Sequence, residues 1–180
     1  LSKLSTESVS LFAVDIKTGK IKWQYRPKHS IRNNTLAIGR GHVFLIDRPL
    51  VGADHITNPR RDGKHQPVLK PEEQPAGVLV ALDVATGKLR WKRSDDIFGT
   101  QLAVSEQHGV VLMNYQAVRH RFFKLPSEIG SRIAAVDAVT GKRLWNAKAD
   151  YKTRPLINDN VVYAQGGAWD LKSGKPMPFE

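Results

Sequence analysis

Short apolar runs broken by turn residues recur along the whole chain, and three of them superpose without a gap. They read LFAVDIKTGKIKW at 11–23, LVALDVATGKLRW at 79–91 and IAAVDAVTGKRLW at 133–145. A fourth, AWDLKSGK at 168–175, is a degenerate copy with Ser173 for the threonine, and with Pro176 and Phe179 where the tryptophan would fall. Alternating apolar positions before each aspartate give a period of two, which predicts a half-buried strand. The aspartate carboxylate can accept backbone N–H groups inside the turn that follows. Glycine supplies the positive φ that closes the turn, and Lys-x-x-Trp begins the returning strand. Each copy is thus read as a hairpin.

A second pair of apolar strands precedes each later hairpin: 35–38 with 42–47, 101–104 with 110–114, and 155–157 with 161–165. Gly39-Arg40-Gly41, the stretch 105–109 and Asn158-Asp159-Asn160 separate the members of these pairs and have turn compositions. The Gly166-Gly167 pair reads as another tight turn and not as a phosphate loop, since no helix follows it. Every unit is then four short antiparallel strands with no helix, which is a propeller blade. The repeated aspartates stand at 15, 83, 137 and 170; the longer first two intervals hold insertions, at about 48–77 and 115–132. Residues 1–8 are too short for two more strands, so the first unit is an outer hairpin only. The expectation over 1–180 is an all-β partial propeller of about three and a half blades, with two blade faces uncovered. It is read as a segment of a longer chain, or as half of a ring closed by a second copy.

The shared pattern Ala-x-Asp-x-x-Thr-Gly-Lys-x-x-Trp resembles the tryptophan-docking motif of PQQ-like (quinoprotein-type) propellers. The resemblance covers the chain outside the two insertions. It implies that Trp23, Trp91 and Trp145 each pack against the next blade, with Ala13, Ala81, Ala135 and Gly19, Gly87, Gly141 as packing neighbours. Asp15, Asp83 and Asp137 belong to the same scaffold, because residues repeated in every unit serve the repeat before they serve chemistry. The fourth copy departs from the motif at Phe179. The family includes quinoprotein alcohol dehydrogenases and non-catalytic bacterial propellers, and it implies a periplasmic or secreted location.

Charge shifts attention to the insertions. Lys and Arg number 28 against 17 Asp and Glu, a formal charge of +11. That bias favours anionic partners. In a four-stranded antiparallel blade the connection between second and third strands emerges on the same side as the connection between blades, and the Thr-Gly turns emerge on the other. Arg26, Lys28 and Arg32 between blades should therefore share one face with Arg119, Arg121 and Lys124 of the second insertion. Phe122 and Phe123 could stack on a sugar or base, or could pin the loop to its blade. His55 and His65 with Asp54 and Asp62 fit no metal-ligand spacing and read as a solvated proline-rich loop. The chain has no cysteine. That excludes disulfides, thiolate metal sites and the adjacent cysteine pair of the family's quinone enzymes. No apolar run is long enough for a membrane-spanning helix.

Two functions from different classes remain at this point. One is a non-catalytic platform for a protein or anionic polymer, built without PQQ or calcium and completed by the rest of the propeller or a second copy. The other is part of a PQQ-dependent dehydrogenase, or an accessory or sensor domain of a larger enzyme.

Overall fold

The computed structural model describes residues 7–49, 73, 76–115 and 130–179. The strands are β1 (Glu7–Ser8), β2 (Leu11–Val14), β3 (Ile21–Tyr25), β4 (Ile31–Arg32), β5 (Ala37–Gly39), β6 (His42–Asp47), β7 (Val78–Asp83) and β8 (Leu89–Arg93). They continue as β9 (Gln101–Ser105), β10 (Val110–Asn114), β11 (Arg132–Asp137), β12 (Arg143–Lys148), β13 (Leu156–Asn158), β14 (Val161–Ala164), β15 (Gly167–Asp170) and β16 (Pro176–Met177). The sheets are β2–β3, then β5–β6–β7–β8, β9–β10–β11–β12 and β13–β14–β15–β16, every pairing antiparallel. This is a half blade followed by three blades, an all-β partial propeller.

The pleat explains how one strand serves two interfaces. Val43, Leu45, Val80 and Leu82 of the first full blade face back onto Leu11, Trp23 and Tyr25. Their alternates Phe44, Ile46, Leu79 and Ala81 face forward onto Leu102, Val111, Met113, Ala134 and Val136. Val110, Leu112, Ile133 and Ala135 then face the last blade through Val162, Ala164, Trp169 and Leu171. Each central strand is therefore apolar on both sides, as a strand buried on two faces must be. The register slips by one residue at the same place in three units, between Ala13 and Val14, Ala81 and Leu82, and Ala135 and Val136. These bulges seat each tryptophan directly opposite the motif alanine, whose small side chain leaves room for the ring.

Two local readings need correction. Glu7–Ser8 does form a strand, yet it pairs with β4 at the inner edge of the following blade and not with its own hairpin. The inner strand of that blade is also interrupted: Asn33–Thr35 is a 3-10 turn, and β4 and β5 each pair separately with β6. Thr35 is buried there, its hydroxyl donating to the Arg32 carbonyl at 2.7 Å. Among the described residues no helix is long and apolar enough to cross a membrane.

Candidate functional site

The two sides of the blades differ in how they are built. On one side lie the Thr-Gly turns. In each of the three full motifs a single aspartate oxygen accepts the N–H two residues on, the N–H three residues on, and the threonine hydroxyl, at 2.7–3.1 Å. Asp170 accepts the Ser173 amide and hydroxyl in the same way, at 2.7 and 2.6 Å. These bonds hold the carboxyls below their ordinary range. For Asp15 the Thr18 amide is the main cause, for Asp170 the Ser173 hydroxyl, and for Asp83 the Arg90 guanidinium 2.6 Å away. For Asp137, burial pushes upward and the hydrogen bonds from Thr140 outweigh it. A carboxylate committed to so many donors is part of the turn and is poorly placed to accept a proton from a substrate. The neighbouring turn of the same blade closes onto this one, Val84 N–H to Gly41 O at 3.0 Å and Ala138 N–H to Gly109 O at 2.8 Å.

The tryptophans lock the blades together. Trp23 Nε1 donates to Val84 O at 3.1 Å, Trp91 Nε1 to Ala138 O at 3.1 Å, and Trp145 Nε1 to Leu171 O at 2.8 Å. Each ring lies across the motif glycine of the next blade. A Cβ added there would stand 2.6 Å from Trp23 at Gly87, 2.7 Å from Trp91 at Gly141, and 2.5 Å from Trp145 at Gly174. With φ of +69° or +70°, these positions suit glycine twice over. The last blade has no such lock. Its sheet carries no bulge, so Met177 stands opposite Ala168 where a tryptophan would be. Phe179 leans instead on Tyr163 of its own blade, ring centres 6.2 Å apart.

The opposite side carries the roots of both insertions. Asp47, at the end of β6, is buried and accepts the backbone N–H groups of Lys28 and His29 at 2.6 and 2.9 Å. Arg48 N–H meets Ser30 O at 3.1 Å, and the Ser30 hydroxyl returns to Arg48 O at 3.0 Å. The first insertion thus leaves the sheet stitched to the loop between blades. The described ends of the second insertion, Tyr115 and Arg132, are held by Tyr151, which reaches across from the next connection. Its hydroxyl accepts Tyr115 N–H at 2.9 Å and lies 3.1 and 3.0 Å from the carbonyls of Tyr115 and Arg132. Burial raises this phenol far above its ordinary range, and it stays protonated. Asn114 completes the root through Gln101 Oε1 at 2.9 Å and Tyr115 O at 2.8 Å.

Arg132 lies over the Phe98 ring at 4.0 Å and reaches Asp96 at 2.7 Å; Asp96 also takes Arg143. Burial pushes the Asp96 carboxyl up, but the hydrogen bonds from the two arginines outweigh it and hold it low. A solid polar frame therefore surrounds the base of each insertion. Sequence reasoning picked out none of Asp47, Asp96, Asn114 or Tyr151; a buried polar residue at the mouth of a long insertion is the only signal that could have pointed to them.

The basic candidates divide. Arg26 and Lys28 are exposed beside this frame. Arg32 is not on a surface at all: its side chain is fully buried at 0% exposure, 3.9 Å from Glu7, because β4 runs inside the blade edge under β1. It is withdrawn as an anion contact. Arg119, Arg121 and Lys124, with Phe122 and Phe123, lie outside the described residues, as do Asp54, His55, Asp62 and His65. Among the described residues no three His, Cys, Asp or Glu side chains gather at one point. The motif aspartates are committed to their turns.

A family model described as outer membrane protein assembly factor BamB, a PQQ-like repeat, matches residues 75–174, more than half of the chain. Sequence comparison with curated proteins gives no match. Among solved structures the chain is similar to BamB from Moraxella catarrhalis, with a TM-score of 0.52 and 18% identity over 95% of this chain and 46% of that one. It is also similar to the quinohemoprotein alcohol dehydrogenase from Comamonas testosteroni, with a TM-score of 0.50 and 14% identity over 95% of this chain and 35% of that one. At such identities the likeness is one of fold, and this chain spans less than half of either structure. Repeat, blade and family match agree: the chain belongs to the PQQ-like β-propeller repeat family, the family of the BamB assembly factor.

Proposed function

We propose that this chain is a non-catalytic part of a larger extracytoplasmic propeller, and that it works as an interaction platform through the side carrying the two insertions. One observation above all supports the reading: the recurrent carboxylates and indoles are spent on turns and blade joints, whereas the described ends of both insertions, at Asp47–Arg48 and at Asn114–Tyr115, are tied into hydrogen-bonded frames. Loops presented by a rigid scaffold are where binding residues concentrate. The match to the BamB family favours a platform over an enzyme. The periplasm or outer-membrane surface is the location that fits the same match. The formal charge of +11 makes an acidic protein surface or an anionic polymer the fitting partner. Exposed Arg26 and Lys28, with Arg119, Arg121 and Lys124 of the insertion, would supply the contacts.

Heparin serves as the probe. Its binding should weaken linearly on a log–log plot against salt. Reversing Arg26 and Lys28, or Arg119 and Arg121, to glutamate should weaken binding by roughly tenfold at low salt. The same reversal of Lys88 and Lys142, which follow the Thr-Gly turns on the other side, should change it much less. Equal losses from both sides would mean that total charge alone attracts the polymer, and the platform reading would fail. Dye reduction in the presence of PQQ and calcium should stay at background.

A further inference from the structure

The excess positive charge has an address in the fold. Residues 16–28, 84–94, 138–149 and 171–179 are the outermost strand of each unit with its flanks, and they hold 14 Lys and Arg and no Asp or Glu. The remaining residues carry 14 Lys and Arg against 17 Asp and Glu, a net charge of −3, so the whole formal charge of +11 belongs to these outer strands. The two ends of the strands differ in what offsets that charge. At the Thr-Gly end the lysines sit in turns whose aspartates are held ionised, and Lys22 and Lys172 lie near enough to act on Asp15 and Asp170. At the other end the carboxylates are already taken: Asp95 meets Arg93 at 2.8 Å, and Asp96 meets Arg132 at 2.7 Å and Arg143 as well. Arg26 and Lys28 after β3, Lys92 in β8, Lys148 at the end of β12, and Lys152 and Arg154 on the next connection are all exposed. None of these side chains pairs with a carboxylate among the described residues. Lys148 stands opposite Arg132 in the sheet, beside the junction that β8 leads into, so the free charges follow one another across three successive blade ends. Within 148–154 the only acid is Asp150, which is exposed.

The character of this row decides what fits it. Among the described residues, no large exposed apolar side chain lies at 22–30, 92–96 or 148–155. A protein partner needs an apolar, aromatic-rich centre inside its polar rim, and this row offers charge alone. Packed sheets stand about 10 Å apart, so charges on successive blades are too far apart for one phosphate or sulfate and match successive groups of a chain. Resting on the insertion-bearing side as the platform, we propose that its anionic partner is a linear polymer of sulfate- or phosphate-bearing units. It lies across three blade ends on Arg26, Lys28, Lys92, Lys148, Lys152 and Arg154. Contacts of this kind hold the backbone of a polymer and carry no information about its sequence. Six of them release roughly four counterions from a single-stranded polyanion, which sets the steepness of its salt dependence.

Binding to a heparin tetrasaccharide and to long heparin is measured by titration calorimetry over a range of salt. Long heparin, counted per tetrasaccharide unit, should bind at least about tenfold more tightly and with a salt slope steeper by about 2. Lys92→Gln with Lys148→Gln, and Lys152→Gln with Arg154→Gln, should each weaken long heparin by about tenfold at low salt and lower its slope by about 1. Lys20→Gln with Lys175→Gln, at the Thr-Gly end, should change either affinity by less than about twofold. All these side chains are exposed, and circular dichroism checks that each variant keeps the fold. A tetrasaccharide that binds as tightly as the long chain overturns the proposal, because the site is then compact, as for an acidic patch of a folded protein. So does a long-heparin affinity that is lost on reversing Arg26 and Lys28 but untouched at Lys92, Lys148, Lys152 and Arg154; the platform reading then stands without the track. Equal losses at both ends of the strands would take the platform reading down as well. Single-stranded DNA in place of heparin separates the sources. The same losses with both polymers support a track held by charge, with heparin alone a track for sulfated sugar, and with DNA alone one for a phosphate chain.

Discussion

Trp145→Ala should lower the unfolding free energy by about 3–5 kcal/mol, the range for removing a large aromatic side chain from a core. The residue is 8% exposed and packs among Val162, Ala164, Leu171 and Trp169 of the next blade. Truncation would open a cavity between the two sheets. It would also leave the Leu171 carbonyl without the indole N–H now 2.8 Å away. Urea denaturation followed by circular dichroism measures the change. A loss under about 1 kcal/mol would mean that the last blade is held by something else.

Gly87→Ala is the second large effect, and Gly19→Ala is its internal control. Both glycines have φ +69°, so alanine meets the same backbone strain at either site, about 1–3 kcal/mol. Only at Gly87 does the new methyl collide, 2.6 Å from the Trp23 ring. Displacing that ring adds an overpacking cost of about 1–3 kcal/mol. Gly87→Ala should therefore be the more destabilising by that margin. Equal effects would show that the close approach of ring and glycine is not what holds the joint.

Much of this architecture was legible in the residues, for a physical reason. The Asp-x-x-Thr-Gly turn is local: its bonds span two or three residues, so identical strings must build identical hairpins. The inner strand pairs were also readable, because their alternation is set by burial on two sheet faces. Arg32 could not be read in this way. It lies in a stretch of proline, lysine, histidine and serine that has the composition of a loop, and its burial depends on β1 arriving from more than twenty positions earlier in the chain. Tyr151 looks like one aromatic residue in a polar connection. Its role exists only because the neighbouring blade brings Tyr115 and Arg132 to its hydroxyl.

The last joint was also misplaced along the sequence: eight positions on from Asp170 is Pro178, neither Pro176 nor Phe179. The eight-residue step from aspartate to tryptophan includes a bulge, and Lys175-Pro176-Met177-Pro178 does not make one. Of the three basic residues between the first two units, Arg26 and Lys28 are exposed and Arg32 is buried. Strand topology fixes which side the connections leave from, but not which of their side chains turn inward.

The recurrent tryptophan and glycine form a joint between blades. A double-mutant cycle on Trp91 and Gly141 tests this most directly, since the Gly141 Cβ position lies 2.7 Å from that ring. Unfolding free energies of Trp91→Ala, Gly141→Ala and the double variant are measured in urea. If the ring occupies the glycine, removing it makes room for the methyl, and Gly141→Ala should be milder without Trp91 by about 1 kcal/mol or more. Additive losses, within about 0.5 kcal/mol, would contradict the joint and with it the reading of the motif as scaffold.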